Sequence, residues 1–455
     1  MKFLNITSIY IVGALTTIVA MILASPPEWD LFWYGHEIAI GHKAPSLIVP
    51  LLFGTGVLVW ATGYALVLRN TFLGLLSEKE IKHFFIVTLL LIIVLAMIPP
   101  VLSRDIFLYY QHGWIASVKG INPYLTTAAN FTDTPGIELT GVFHSNISTP
   151  YSPLWTHIAT LVASLTEGSI WAATLLFRLL AIGSFLACAF IARAILRKVT
   201  PSASNLGFLF VAANPLLLVE SASSGHNDIV AIAAVMFGFM LILKKPKQLL
   251  LGFMAIGLGV LLKASALPAL AVAGLWVCRD IWRGRYRWIE IPKILFAVII
   301  LCAVIIAPFW TNFSELPHLF GINMLSGGPY TMWLAPALLL KKSVFHIVQD
   351  LGWQASQETV YFYVSIVLAT ITLLCTLYLS LRNTDKQTRL YGIAPVYVIG
   401  TILQAYWRQW YVLWPVVFMA LAPRGLWLKL IWSYSIITLL SYLLTRSSNV
   451  YCCYL

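Results

Sequence analysis

The sequence predicts an all-α integral membrane protein, with about 11 to 13 transmembrane helices and further helices lying in the interface along its outer loops. Three observations carry that expectation. Hydrophobic residues make up 60% of the 455 and charged residues only 10%, for a mean hydropathy of +0.86, which a soluble domain of this size would not tolerate. Apolar runs near the length needed to cross a hydrocarbon core of about 30 Å recur along the whole chain. Lys and Arg gather in short connections between alternate runs, so the net charge of +12 reads as membrane topology rather than a nucleic-acid surface.

The runs fall near residues 5–24, 46–68, 83–101, 168–192, 206–221, 228–243, 248–262, 265–278, 293–310, 358–381, 391–406, 409–422 and 426–445. The first reads as an uncleaved span, because many further spans follow it without a soluble domain. Asn214 and Pro215 break the run at 206–221, and the freed backbone groups need partners inside the protein. The pair across 248–278 is short for two crossings, and a re-entrant hairpin there leaves the later topology unchanged. With the N-terminus cytoplasmic, RNTFLGLLSEKEIK, RAILRK, KKPK, RDIWRGRYRWIEIPK and RNTDKQTR all face the cytoplasm and hold most of the 29 basic residues. Two long outer segments result, 102–152 and 311–357, and any chemistry belongs on that face. No repeat, low-complexity tract or soluble appendage is visible, so 1–455 reads as one polytopic membrane domain. Cys188, Cys278, Cys302 and Cys375 lie within or at the end of apolar runs, as small hydrophobes without a disulfide framework.

Just beyond the third run stands PPVLSRDIFLYYQHGWIASVKGINPY, with a single carboxylate, Asp105. Ile106, Phe107, Tyr110, Trp114 and Val118 recur at helical spacing and Gly120 closes the segment, which predicts a helix in the interface with Gln111, His112, Ser117 and Lys119 as its polar positions. Asp105 either caps that helix or presents a base to a substrate. Tyr151 to Trp155 open another short helix, with Pro153 suited to its first turn and Tyr151 either an interfacial anchor or a ligand contact. The turn Gly225-His226-Asn227-Asp228 concentrates donors and acceptors at an outer mouth, with Asp228 also placed to cap the next helix. Arg178, Lys263 and Arg408 interrupt apolar sequence, where a charge must pair, line a wet cavity or snorkel. A divalent metal on Asp105, Asp228, His226 and His112 is chemically conceivable, but nothing in the spacing requires one, so no cofactor is expected.

In this order, Ser103-Arg-Asp105-Ile-Phe with Tyr110 and Gly113, Gly120-Ile-Asn122-Pro123-Tyr124, Tyr151-Ser-Pro153-Leu-Trp155, Asn214-Pro215 with Gly225 to Asp228, Lys263, and Gln409-Trp-Tyr411-Val-Leu-Trp414-Pro415 resemble polytopic glycosyltransferases of the GT-C type. The likeness is particularly to bacterial polyprenol-phosphate-mannose-dependent mannosyltransferases and their relatives. The resemblance covers about residues 100–415. It implies a lipid-linked monosaccharide donor, an outward-facing site and an acid in the first large outer loop acting as base, the place Asp105 occupies. Many relatives carry two acids there, whereas SRDIF has no adjacent second one.

On that reading the protein is an inverting transferase. It moves a hexose, mannose by resemblance, from a polyprenyl-phosphate donor to a glycan or glycolipid acceptor on the outer face of the cell membrane. Asp105 takes the acceptor proton. Lys263, Arg408 and Arg178, in that order, meet the departing phosphate. His226, Asn227 and Asp228 hold hydroxyls, while Tyr110, Trp114 and Tyr151 offer aromatic faces to sugar, acceptor or lipid. The partners are then the donor, the acceptor and membrane lipids, with no nucleic acid. A transporter or flippase of a lipid-linked intermediate is the competing class, since midplane charges and a Pro-broken helix also mark transport paths. A non-catalytic assembly subunit is a third.

Overall fold

The computed structural model describes residues 3–25, 47–244, 248–312, 319–320, 336–382, 386–403, 408–423 and 425–443. In chain order its α-helices are α1 Phe3–Leu23, α2 Ile48–Phe72, α3 Glu78–Met97, α4 Asp105–Val118, α5 Ile137–Ser145, α6 Pro153–Thr166, α7 Ile170–Val199, α8 Ser204–Ala212, α9 Pro215–Leu218, α10 Asp228–Lys244, α11 Leu249–Leu262, α12 Leu267–Trp282, α13 Glu290–Ile306, α14 Pro336–Asp350, α15 Gln357–Arg382, α16 Lys386–Leu403, α17 Leu413–Met419 and α18 Gly425–Ser441. No strand occurs among the described residues.

Seven of these stretches are long and apolar enough to cross a membrane: α1, α2, α3, α7, Ala264–Trp282, Glu290–Phe309 and Gln357–Leu379. The bent pair Pro201–Ala212 and Pro215–Ser223 adds an eighth as a broken span, and shorter apolar helices follow at Asp228–Leu243, Leu249–Leu262 and Gly392–Ile402. The protein is a multi-pass membrane protein. One expected span differs: residues 409–422 form a 3-10 turn, Gln409–Val412, and then only the seven residues of α17. Seven helical residues reach about 10 Å, far short of a bilayer core. Their side chains are buried throughout, so the apolar run there serves protein packing. Of the second long loop, 313–318 and 321–335 lie outside the described residues, as do Cys452 and Cys453.

The chain divides into two compact units, one of residues 1–149, 154–233 and 423–455, the other of 150–153 and 234–422. In the first, helix starts are written locally. Ser77 and Glu80 form a reciprocal capping box on α3, and Ser169 accepts from the Ala172 amide at the start of α7. The break between α8 and α9 bends the span by 49°. Pro215 has no N–H to give, and the end of α8 leaves carbonyls without helical donors. Tyrosines from the first two spans supply them: Tyr64 Oη donates to Phe210 O at 2.7 Å and Tyr10 Oη to Ala213 O at 2.9 Å. Asn214 closes the other end. Its Oδ1 accepts from the amides of Leu216 and Leu217, and its Nδ2 donates to Ser435 Oγ of α18 at 3.1 Å.

The second unit holds an aromatic stack of Tyr397, Trp414 and Phe418, with Tyr397 to Phe418 centroids 4.7 Å apart and nearly parallel. Its α12 and α16 are clamped by a bidentate pair. Arg389 Nη1 donates to Asp280 Oδ2 at 2.8 Å and Nη2 to Oδ1 at 2.6 Å, with Arg285 Nη1 adding a bond to Oδ1 at 3.1 Å. Removing one partner of a buried pair leaves the other charge stranded, at a cost of about 3–5 kcal/mol. Asp280→Ala is therefore expected to lower the thermal midpoint of the detergent-solubilised protein sharply. Asp280→Ala combined with Arg389→Leu is expected to regain most of the loss, read by the same melting measurement.

Candidate active site

Pro99 and Pro100 stop α3, and the chain re-enters a helix at Asp105. Arg104 occupies the cap position but its side chain does not cap the helix, and the Asp105 amide donates to Ser103 Oγ at 3.2 Å. No side-chain cap bond forms at this end, so the Asp105 carboxylate does not cap α4. The helix is more deeply seated than expected, with every residue from Ile106 to Ile115 buried. Gln111 Nε2 donates to Gly136 O at 3.0 Å and Thr140 Oγ1 at 3.1 Å, while His112 Nε2 lies 3.1 Å from Ile147 O. Residues 119–149 fold back and cover the polar positions that the 3.6-residue pattern left to water. On another side α4 meets α6 so closely that a Cβ at Gly113 would stand 2.1 Å from Ala159 O. Only glycine fits there. The start of α6 at Pro153 and the end of α4 before Gly120 are as expected.

Beyond α9 the backbone widens into a π-helical turn, Val219–Ser223, which carries Glu220. Gly225 then takes a φ of +67°, and a Cβ on it would stand 2.7 Å from Ile106 Cδ1 of α4. Glycine is required twice over, by conformation and by space. This places His226 beside α4. Its Nδ1 lies 3.8 Å from Asp105 Oδ2 and its Nε2 lies 3.3 Å from Glu220 Oε2. Tyr442 Oη, just past α18, donates to Glu220 Oε1 at 2.6 Å. His226 and Glu220 are fully buried and the Asp105 side chain is 15% exposed. Asn227 is pinned to the same helix, its amide donating to Tyr109 Oη at 3.3 Å and its Oδ1 accepting from that hydroxyl at 3.4 Å. Asp228 opens α10 and is buried. Arg178 ties the turn down, donating from Nε to Ser223 O at 2.8 Å and from Nη1 to Ala96 O at 2.7 Å.

Of the other expected site residues, Tyr110 and Trp114 are buried in the first unit, with Lys119 Nζ 4.9 Å from the Trp114 ring centroid. Tyr151, Lys263 and Arg408 belong to the second unit. There Lys263 Nζ lies 5.0 Å from the Tyr411 centroid, and the Arg408 guanidinium lies 5.9 Å from that of Trp410. Among the described residues no three of His, Cys, Asp and Glu are grouped to hold a metal ion.

Residues 8–279 match the family model described as alpha-(1->6)-mannopyranosyltransferase, N-terminal domain. The chain belongs to this family. It is also 27% identical over 191 residues to the alpha-(1->6)-mannopyranosyltransferase A of Corynebacterium glutamicum, a stretch that is 41% of this chain and 37% of that relative. The chain thus matches little more than a third of the relative's length. The family match takes in Asp105, Arg178, Glu220, His226 to Asp228 and Lys263, and ends before Arg408 and Tyr442.

Two side chains of this cluster are not among the expected site residues. Glu220 carried a usable signal, an acid inside an apolar run, where ionisable residues are retained for function or pairing. Tyr442 carried none, since a tyrosine near the end of a span reads as an interfacial anchor.

Burial of His112 pushes its pKa down from the ordinary 6.5 to about 4. The unfolded chain binds a proton there below pH 6.5 that the folded chain refuses, so this contribution to stability is complete above pH 6.5 and is lost as the pH falls through about 4. The loss reaches about 3 kcal/mol at most. Thermal unfolding followed from pH 7 to pH 4.5 is expected to show a shallower fall for His112→Gln than for the natural sequence.

Proposed function

We propose that this chain is a mannosyltransferase that uses a polyprenyl-phosphate mannose donor on the outer face of the membrane, with Asp105 as general base. One observation carries the reading. Asp105 is partly exposed at the start of α4, makes no cap bond, and faces an imidazole, as an acid kept for proton transfer should. The charge bias of the connections supports an outward Asp105, and an outward site draws its sugar from a lipid carrier because cytosolic nucleotide sugars do not reach it. The family supports mannose, and the relative's name suggests that the bond formed is α-(1→6).

In the inverting step, the acceptor oxygen attacks the anomeric carbon while its proton passes to the Asp105 carboxylate. The bond from that carbon to the lipid phosphate oxygen breaks, and the phosphate departs with the electron pair. Lys263 and Arg408 are the cations assigned to the charge that grows on it. Arg178, with two donors given to carbonyls, acts as a tie that holds the turn. This chemistry needs no metal, since fixed cations meet the phosphate charge, and chelation by EDTA is expected to leave turnover unchanged.

Asp105→Asn is expected to purify as a folded protein and to lose at least about a hundredfold in mannose transfer from purified polyprenyl-phosphate mannose to an α-(1→6)-mannooligosaccharide. Turnover at the natural rate rejects the base assignment. Lys263→Ala is expected to slow the single-turnover chemical step about a hundredfold; an unchanged rate makes that lysine a snorkelling residue. The bent span with its π-turn also suits a transport path. Flux of the lipid-linked sugar across liposomes, without transfer, is the outcome that favours a flippase instead.

A further inference from the structure

The connection between α12 and α13 carries more positive charge than its neighbours answer. Ala264–Trp282 and Glu290–Phe309 are each long and apolar enough to cross the membrane, so residues 283–289 between them lie at a membrane surface. Arg279, Arg283, Arg285 and Arg287 fall in or beside that turn. Arg382 ends α15 just past the apolar stretch Gln357–Leu379, and Arg389 stands in the first turn of α16. Contacts draw these helix ends together. Arg279 Nη1 donates to Leu381 O at the end of α15, and Arg389 gives both of its Nη groups to Asp280 of α12. Among the described residues Asp280 is the carboxylate that answers this group, and its two oxygens are already taken by Arg389 and Arg285.

Arg283 and Arg287 are left over. Both are exposed, and among the described residues no acid lies within ion-pair distance of either. Glu290, three residues past Arg287, pairs with Lys293 at 3.4 Å. Trp282 and Trp288 flank the two arginines and are 82% and 64% exposed, which is the placement of tryptophan at the level of lipid headgroups. Leu295, Phe296 and Ile299 continue along α13 as exposed apolar surface, at the depth where acyl chains lie. Burial, with the charge of Asp280 beside it, raises the Tyr286 hydroxyl above its ordinary 10, so the phenol keeps a hydrogen to give. A partner for this surface brings negative charge at headgroup depth and hydrocarbon below it. We infer that the connection is a headgroup site for an acidic phospholipid of the bilayer, with Arg283 and Arg287 donating to its phosphodiester oxygens.

Charge complementarity selects a lipid over a soluble anion. A juxtamembrane arginine meets anionic headgroups at high local concentration and gains with each further arginine beside it. Free phosphate at so open a surface competes with water and is screened within about 8 Å in physiological salt. A zwitterionic headgroup brings a cation with its phosphate and gains little. Arginine suits the occupant, because its planar fork gives two parallel N–H bonds to a phosphate. The Asp280–Arg389 pair supplies the footing. It fixes the end of α12 against α16, so Arg283, at the C-cap of α12, is presented from an anchored helix.

The test takes the full-length protein, delipidated in detergent, and titrates it with phosphatidylglycerol or with phosphatidylcholine of the same chain length. Bound lipid is counted by native mass spectrometry and the thermal midpoint is read in parallel. Phosphatidylglycerol is expected to bind and to raise the midpoint, and phosphatidylcholine to do neither. Raising the salt from about 0.1 M to about 1 M is expected to weaken that binding severalfold. Arg283→Gln combined with Arg287→Gln is expected to weaken phosphatidylglycerol binding about thirtyfold. Lys79→Gln combined with Lys82→Gln removes the same charge from another connection and is expected to bind as the natural sequence does. Natural affinity in the arginine pair of variants overturns the inference, and so does an equal loss in the lysine pair, which makes the effect one of net charge. Equal binding of phosphatidylcholine, or the same midpoint rise with inorganic phosphate alone, also overturns it. Should the arginine pair fail to fold, the natural sequence decides, because phosphatidylglycerol binding that ignores salt rejects a site built on exposed arginines.

Discussion

A missing backbone hydrogen organises the first unit. Pro215 cannot continue α8, and in a hydrophobic interior each carbonyl or amide that the break exposes must find a partner within the protein. Asn214 caps the lower piece, while Tyr64, Tyr10 and Ser435 arrive from three other helices to bond the break and its cap. Helices α1, α2 and α18 are thereby keyed to one point of the chain. The return is positional. The short α9 and its π-turn rotate Glu220 inward and deliver His226 to the side of α4, a placement that an unbroken helix over 206–223 would not allow.

That keyed point also explains which parts of the molecule were legible in advance. Pro and Gly act locally, and the breaks and turns they dictate are legible in the sequence. The break at Asn214, the helix starts at Asp105 and Pro153, and the turn through Gly225 all stand where the residues alone put them. Hydropathy located the helices too, because burial in lipid and burial in protein demand the same side chains. For the same reason it mistook α17 for a crossing, since an apolar run carries no label for what covers it. The Gln111 and His112 positions failed on a related ground. Their solvation depends on residues 119–149 folding back, a tertiary event that helical periodicity does not encode. Tyr442 lies 222 residues from Glu220, and no local pattern links them.

The site's charges are answered by two different means, and the difference bears on chemistry. Arg178 is met by carbonyl dipoles, which solvate a cation without neutralising it, so its charge persists within the turn. Glu220 is met by the Tyr442 hydroxyl, which donates to Oε1 without cancelling its charge, while the His226 ring stands 3.3 Å from Oε2. Both arrangements were complete before any substrate arrives, which is the condition under which fixed dipoles act most strongly on a developing charge. Neutral side chains of the same volume would pack the span with less strain on its solvation, and their absence points to a polar interior kept for use.

Exposure then assigns direction to the row of side chains. Tyr442, Glu220 and His226 have no contact with water, whereas Asp105 retains 15% of its side-chain surface. In this row the only member that reaches solvent is therefore Asp105, the acid proposed as base, so a proton taken there could pass to water without crossing the buried side chains behind it.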